Sequence, residues 1–217
     1  VIRMGIETGN EDTRIKLLRK PVENDRLLKA SEILHGTGIN VQGFGMLGLP
    51  GETEDDIFTL FQLAVDMRVD VFRVSMFVPL PGTPLYHYCL ENDLFDTDSR
   101  YHDFSTESTL KMPPGRRLFL DKVQHVFTWA LNSRLPQPVG EWYGNKLRAV
   151  LDMEKRRWEG FKESLKAEEE ALRKKALEYD LPHYYSPIAG RQDYAFLHLA
   201  SRERKMINID DGTNPQE

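Results

Sequence analysis

The chain has 217 residues, 40% of them hydrophobic, enough to bury the core of one large domain. Its formal net charge of −5 argues against general nucleic-acid binding. No apolar run approaches the roughly 18 residues that a membrane span needs, and no secretory signal is visible. The one cysteine, Cys89, cannot form an internal disulfide. We therefore expect a cytoplasmic protein with a buried or half-buried free thiol.

Strand and helix patterns alternate over residues 1–94. The run "VIRMGI" predicts a strand that ends near Gly9, and "NEDTRIKLLRK" predicts a helix with Asn10 as its N-cap and Pro21 as its stop. A second helical pattern, "NDRLLKASEILHGTG", precedes a glycine-rich buried strand, "INVQGFGMLGL". Thr53 is expected to cap "EDDIFTLFQLAVDM", and "DVFRVSMFVPL" predicts a third strand. This order with short connections predicts parallel strands, with their helices on one face.

The remainder of the chain is predicted to be mostly helical. Residues 95–112 indicate an irregular loop, and a helix should begin at Pro113 and Pro114. Residues 145–179 predict one long charged helix with a thin apolar stripe, and the tail from Asn208 has a disordered composition. The predicted units are a strand–helix domain, a loop and helical cover, and a charged helix with tail, at residues 1–94, 95–144 and 145–217.

Two stretches suggest a ligand at the carboxyl ends of neighbouring strands. Glu7 follows the first strand, where an acid can accept from ligand hydroxyls or an ammonium group, although a surface or capping role is equally open. In "GLPGETEDD", Gly48 and Gly51 allow positive φ or a close ligand approach. A phosphate loop is disfavoured because no lysine follows the glycines and four acids do. Those acids are expected to favour the positive end of the next helix.

Three segments in this order resemble the second half of a radical S-adenosylmethionine (SAM) barrel. They are "GIETGNEDTRIKLLRKPV", "GINVQGFGMLGLPGETEDD" and "VSMFVPLPGTPLYHYC", and the likeness covers roughly residues 2–94. It is greatest to the branch that often carries an N-terminal cobalamin-binding domain. The tRNA methylthiotransferases and oxygen-independent coproporphyrinogen oxidases share the outline. The resemblance implies an α/β fold, the second half of a (β/α)6 partial TIM-type barrel with parallel strands, followed by a mostly α-helical region.

The resemblance also implies a set of SAM contacts. In the superfamily a polar residue ends the fourth barrel strand, and an apolar residue near a glycine on the fifth strand packs on adenine. Phe44 stands where some relatives have an aspartate, so one ribose contact is either lost or replaced by stacking on the aromatic ring. The resemblance places Glu7 and Thr8 at the end of the first strand and Arg19 near the SAM carboxylate. It places Met46 and Gly48 against adenine, and it assigns backbone contacts with adenine to Val78 and its neighbours Phe77 and Pro79.

One element of the family is absent from this sequence. The superfamily holds a [4Fe–4S] cluster with a CxxxCxxC motif, and Cys89 does not match it. We therefore expect the cluster ligands, and any cobalamin domain, to lie in a missing N-terminal half upstream of Val1 or in a partner chain. The chain alone is then predicted to be inactive. The resemblance implies radical-based methylation or a related C–H transformation on a small-molecule or macromolecular substrate.

An alternative hypothesis is that the protein is not an enzyme, and that a half barrel without catalytic activity serves as a scaffold or partner-binding module. An in-frame CxxxCxxC upstream of the Val1 codon would favour the enzyme, and a stop codon followed by a nearby start would favour the scaffold. Aromatic residues of the predicted cover are expected to serve packing more than substrate contact. These are Tyr101, His102, Trp129, Trp142 and Tyr143.

Overall fold

The computed structural model describes residues 1–96, 108–186 and 194–201, and within them the fold is mixed α/β with one five-stranded sheet. The strands are β1 (Ile2–Glu7), β2 (Val41–Leu47), β3 (Val71–Met76), β4 (His183–Tyr185) and β5 (Tyr194–His198), in the spatial order β1-β2-β3-β5-β4. The β1–β2 and β2–β3 pairs are parallel, as the sequence predicted. The β3–β5 and β4–β5 pairs are antiparallel.

Eight α-helices occur in the described ranges. They are α1 (Asn24–Gly36), α2 (Glu54–Asp66), α3 (Pro84–Glu91), α4 (Pro114–His125), α5 (Phe127–Asn132), α6 (Val139–Leu151), α7 (Lys155–Phe161) and α8 (Leu165–Glu178). A π-helical turn, Thr13–Leu17, follows β1, and a 3₁₀ turn, Lys162–Ser164, joins α7 to α8. None of the described helices is both long and apolar enough to cross a membrane.

The predicted start signals are confirmed at two helical segments. Asn10 Oδ1 accepts from the Thr13 backbone N–H at 2.9 Å, which satisfies a donor at the start of the π-helical turn. Thr53 forms a capping box with Asp56, whose backbone N–H donates to Thr53 Oγ1 and whose carboxylate accepts from the Thr53 N–H. Both segments therefore begin where local side-chain chemistry places them.

The hydrophobic core lies on the sheet face that α1 and α2 cover. Alternate residues of β2 are buried, and those of β3 follow the same period, so each strand turns one face to the helices. The same core continues into the C-terminal helices, where Trp129 and Tyr143 are buried, as expected of packing aromatics. Trp142 is half-buried against this core, and Tyr101 and His102 lie outside the described residues. The three predicted units thus share one hydrophobic core.

Two strands were missed by the sequence reading, which placed β4 and β5 within a charged helix and tail. β5 pairs with β3, with Val71 opposite Phe196, and β4 pairs with β5, with Tyr184 opposite Leu197. Strands of three and five residues carry little periodic signal, and their pairing depends on β3, more than 100 positions earlier. The predicted order of three parallel strands is confirmed, and two antiparallel strands extend the sheet beyond β3.

The prediction of one continuous helix over residues 145–179 is wrong. The chain forms α6, a turn over residues 152–154, then α7 and α8. Met153 in the turn is 8% exposed and joins the core. The Lys122 ammonium, itself buried, donates to the Leu151 carbonyl at 2.7 Å and to the Met153 carbonyl. A charged donor from α4 thus satisfies the carbonyl of the last residue of α6 and one carbonyl of the turn that follows.

We predict that Lys122→Met destabilises the fold by about 2–4 kcal/mol, because it leaves two carbonyl oxygens without their donor at nearly constant side-chain volume. Urea unfolding followed by circular dichroism measures the change. Lys166→Met, at an exposed position of α8, is the control and should change stability by less than about 0.5 kcal/mol. Equal effects of the two substitutions would contradict the role given to Lys122.

Candidate cofactor-binding site at the strand ends

The carboxyl ends of β1, β2 and β3 meet at one edge of the sheet. Glu7 lies opposite Gly45 in the β1–β2 register, next to the predicted adenine contacts of β2. The Phe77 backbone N–H donates to the Leu47 carbonyl at 2.8 Å, which extends the contact between β2 and β3 past the end of β3. The strand-end residues that the sequence singled out therefore share one edge, where parallel sheets bind ligands.

Glu7 adopts a conformation that residues other than glycine rarely take. Its φ is 68°, and the Thr8 backbone N–H donates to the Ile6 carbonyl at 2.9 Å across it. A three-residue turn with positive φ at its centre is the strained form of the γ-turn. Such conformations cost on the order of 1–3 kcal/mol and concentrate at functional sites. The backbone geometry marks Glu7 as a functional candidate independently of any sequence resemblance.

A fully buried arginine holds this turn. Arg14 Nε donates to the Ile6 carbonyl at 2.9 Å, and Nη2 donates to the Thr8 carbonyl. Nη1 donates to Asn24 Oδ1 at 2.6 Å, which connects the turn to the start of α1. The guanidinium therefore binds the carbonyls on both sides of Glu7. Sequence reasoning missed Arg14, because it read the residue as one of several bases on a helix.

Lys20 supplies the cation beside the Glu7 carboxylate. Its Nζ lies 3.2 Å from Glu7 Oε1 and also donates to the Gly5 carbonyl. A Cβ at Gly5 would lie 2.0 Å from Glu7 Oε1 and 2.6 Å from Lys20 Nζ, so a larger residue would displace both side-chain ends from these positions. The Glu7 side chain keeps 26% of its surface exposed, which leaves the carboxylate accessible to a ligand.

Arg19, the predicted partner of the SAM carboxylate, is not brought to Glu7. Its φ is 52°, its side chain is exposed, and it forms no ion pair with any residue in the described ranges. The left-handed backbone at this position directs the next residue, Lys20, toward the strand end. The contact assigned to Arg19 stays a prediction, and Lys20 is the cation that the fold places at the site.

The loop after β1, residues 8–10, packs against α2. Thr8 is 1% exposed, and its hydroxyl accepts from the Asn10 backbone N–H at 3.2 Å. A Cβ at Gly9 would lie 2.2 Å from the Leu60 backbone nitrogen, so the loop and the helix backbone are in direct contact. Asn10 Nδ2 donates to Asp56 Oδ1 at 2.8 Å. Thr8 thus lies inside the loop, and its predicted SAM contact stays a prediction.

The glycines of "GLPGE" take the conformation expected of them. Gly48 has φ of 81° and Gly51 has φ of 75°. A Cβ at Gly48 would lie 3.3 Å from Met112 Cε and 3.4 Å from Leu120 Cδ1. The segment that leads into α4 therefore covers this loop, and access to Gly48 from that side requires Met112 to move.

Glu52 has a role that the sequence did not indicate. It was grouped with the acids that favour the N-terminus of α2, yet its side chain is 1% exposed and lies 3.2 Å from Arg116 Nη2. Its carboxylate also accepts from the Gly48 backbone N–H at 2.7 Å. Burial raises the pKa of Glu52 to about 8, against the opposing effects of that hydrogen bond and of Arg116. The remaining acids do lie in the first turn, at Glu54, Asp55 and Asp56.

A small apolar cluster, the strand-end cluster, lies beyond β2 and β3. Its buried members are Leu49, Phe77, Cys89 and Leu110, and partly buried Leu18, Met46, Leu85, Leu94, Phe95 and Met112 pack against them. Met46 offers a half-buried thioether one position past the residue opposite Glu7, and Phe44 lies on the same sheet face. Val78 and Pro79 are buried. The edge thus combines a charged pair with an apolar surface.

Cys89 is a buried free thiol, as expected. Burial raises its pKa, which disfavours the reactive thiolate. The described part of the chain contains no group of three or more His, Cys, Asp or Glu side chains that could hold a metal ion. The residues described here therefore do not fit an iron–sulfur cluster.

Comparison with known proteins gives one distant relative. No family model matches the chain. An uncharacterized methyltransferase of Pyrococcus horikoshii is 23% identical over 96 residues, which make up 44% of this chain. The matched region amounts to 21% of that protein, so the chain spans about a fifth of the length of this curated relative.

We predict that Gly9→Ala destabilises the protein by about 1–3 kcal/mol or more, because a methyl group would overlap the backbone of α2. Gly36→Ala is the matched control, since a Cβ there meets nothing within 4 Å and alanine favours the last turn of α1. Urea midpoints of the two variants measure the difference. A neutral Gly9→Ala would contradict the contact between loop and helix.

Glu52 should make stability depend on pH in a direction opposite to that of a paired surface acid. Its pKa is 4.5 unperturbed and about 8 when folded, so the folded state holds the proton more tightly. The stability that this provides is complete below about pH 4.5 and is lost as pH rises through about 8. Glu52→Gln should therefore gain stability relative to the unmodified protein between about pH 5 and pH 9.

Urea unfolding at several pH values in that window tests the Glu52 prediction. Glu54→Gln, at an exposed position in the first turn of α2, is the control and should follow the unmodified protein. Parallel pH profiles for Glu52→Gln and the unmodified protein would contradict the buried, proton-retaining carboxyl.

Proposed function

We propose that this chain is the SAM-binding second half of a radical SAM barrel, in an enzyme that performs methylation or a related C–H transformation. The observation that carries the proposal is the strand-end geometry. The Glu7 carboxylate, which projects from a strained backbone turn, and Lys20 lie beside the apolar Met46 and a glycine-rich loop, at one edge of three parallel strands.

The chemistry of SAM matches the groups at this edge. Its amino-acid end carries an ammonium and a carboxylate, and the Glu7–Lys20 pair presents the complementary charges side by side. Its adenine presents flat aromatic faces, for which Met46 and Phe77 supply contact surface. We therefore assign the amino-acid end to the β1 edge and the adenine to the ends of β2 and β3.

The distant relative supports the methylation class. It is described as a methyltransferase, and the similarity extends over less than half of this chain. SAM is the methyl donor proposed for the strand-end site. The use of cobalamin is proposed from the radical SAM resemblance alone.

If the chain is the second half of a barrel, the strands of the first half would pair with β1. This strand is the outer member of the described sheet, and Ile2 is 44% exposed. Strands with open edges invite pairing with another strand. The other edge differs from a simple half barrel, because β3 is already paired with the antiparallel β5. The first half of the barrel would then extend from β1 only.

The proposal requires that the [4Fe–4S] ligands come from outside this chain. Cys89 is the one cysteine in the sequence and lies within the strand-end cluster. A cluster bound elsewhere would supply the electron for reductive SAM cleavage. The residues of this chain would orient SAM and exclude water from its apolar side.

Two substitutions of Glu7 separate its ligand contact from its backbone strain. Both Glu7→Ala and Glu7→Gly remove the carboxylate and should weaken SAM binding by about 1–3 kcal/mol. Glu7→Gly also relieves the positive φ and should be more stable than Glu7→Ala by about 1 kcal/mol. Equilibrium dialysis with labelled SAM and urea unfolding measure the two effects, in the product of the complete reading frame that encodes this chain.

Glu32→Ala, at an exposed position of α1, serves as the control and should retain full SAM affinity. Unchanged affinity in both Glu7 variants would refute the assigned contact. No SAM binding by the unmodified complete product would refute the proposal itself and would favour the scaffold reading.

A further inference from the structure

A cleft lies in the helical layer, away from the strand ends. It has a volume of about 410 Å³ and is bounded by α2, the turn after α5, and α6. Arg134, Arg148, Gln137 and Asn145 bring polar groups to it, and Phe58 gives it an aromatic wall. The residues that line it include none of the predicted SAM contacts. Small-molecule sites span about 300–1,000 Å³, so the cleft has the size of a site for a compact ligand.

Arg134 is the unusual group in this cleft. Its guanidinium carbon lies 5.0 Å from the centroid of the Phe58 ring, within the range of a cation–π contact. Its Nε is buried without a hydrogen-bond partner, and within the described ranges no carboxylate pairs with it. Burial lowers its pKa, which reflects the cost of removing the charge from water. A half-buried guanidinium whose Nε–H lacks an acceptor favours the arrival of an anion at its remaining N–H groups.

The other walls suit an anion attached to an apolar body. Arg148 adds a second cation without an ion pair to any described residue, against one acid, Glu141. Leu147 and Leu151 provide apolar surface. At Gly144 a Cβ would meet only Ser133 Cβ, at 3.8 Å, so the absence of a side chain there leaves the floor of the cleft open.

We propose that this cleft is a binding site for a small organic anion, in which Arg134 and Arg148 receive a phosphate or carboxylate group. The fork of Arg134 matches the two oxygens of such a group, while Arg148 supplies a second charge at the rim. The apolar body of the ligand lies on Phe58, Leu147 and Leu151. This site is independent of the SAM site and is tested without SAM.

Calorimetric titration of the chain with phenyl phosphate, benzoate and benzylamine tests the proposal. The two anions share a ring with benzylamine, which carries the opposite charge, and comparison of the anions distinguishes phosphate from carboxylate as the preferred group. We expect one equivalent of at least one anion to bind. Arg134→Gln should weaken that binding at least about tenfold, the effect of losing a two-pronged charged contact.

Two further variants keep the test decisive. Gly144→Leu fills the floor of the cleft while favouring α6, so it should also abolish binding in a folded protein. Arg156→Gln removes an exposed arginine of α7 outside the cleft and should leave binding unchanged. The proposal is overturned if neither anion binds, if benzylamine binds equally well, or if Arg134→Gln and Gly144→Leu both retain full affinity.

Discussion

The buried guanidinium of Arg14 is the interaction on which the strand-end site depends. It binds the carbonyls on both sides of Glu7 and so maintains a turn that the backbone would not otherwise favour. A buried charge is costly unless its donors are satisfied, and here backbone carbonyls and Asn24 accept from all three of its nitrogens. Rigid placement of this carboxylate is what a site that orients a cofactor requires.

Elements that depend on interactions between residues close in sequence could be predicted from the sequence. The capping side chains of Asn10 and Thr53 have partners three residues along the chain, and the first three strands are marked by short apolar runs bounded by turn residues. The antiparallel extension and the break after α6 could not be predicted. β5 needs the edge of β3, and the carbonyls that end α6 need Lys122, so both depend on contacts between distant segments.

The same distinction applies to the candidate site. Its location followed from Glu7 at the end of an apolar run and from the glycines of "GLPGE", which the structure places along one edge. The supporting groups did not follow, because the partners of Arg14 are backbone carbonyls and Glu52 pairs with Arg116, 64 residues later. Arg19, the predicted cation, has a left-handed backbone conformation, and Lys20 instead lies beside Glu7. No periodic pattern in the sequence indicates this difference.

The central claim is that SAM lies along the ends of β1, β2 and β3. Methyl NMR of the complete product, labelled with ¹³C at its methionine methyl groups and titrated with the SAM analogue S-adenosylhomocysteine, tests it most directly. Met46, at the strand-end cluster, should shift on binding, whereas Met153, in the turn after α6, should not. Shifts at Met153 with none at Met46, or none at either methionine, would contradict the account.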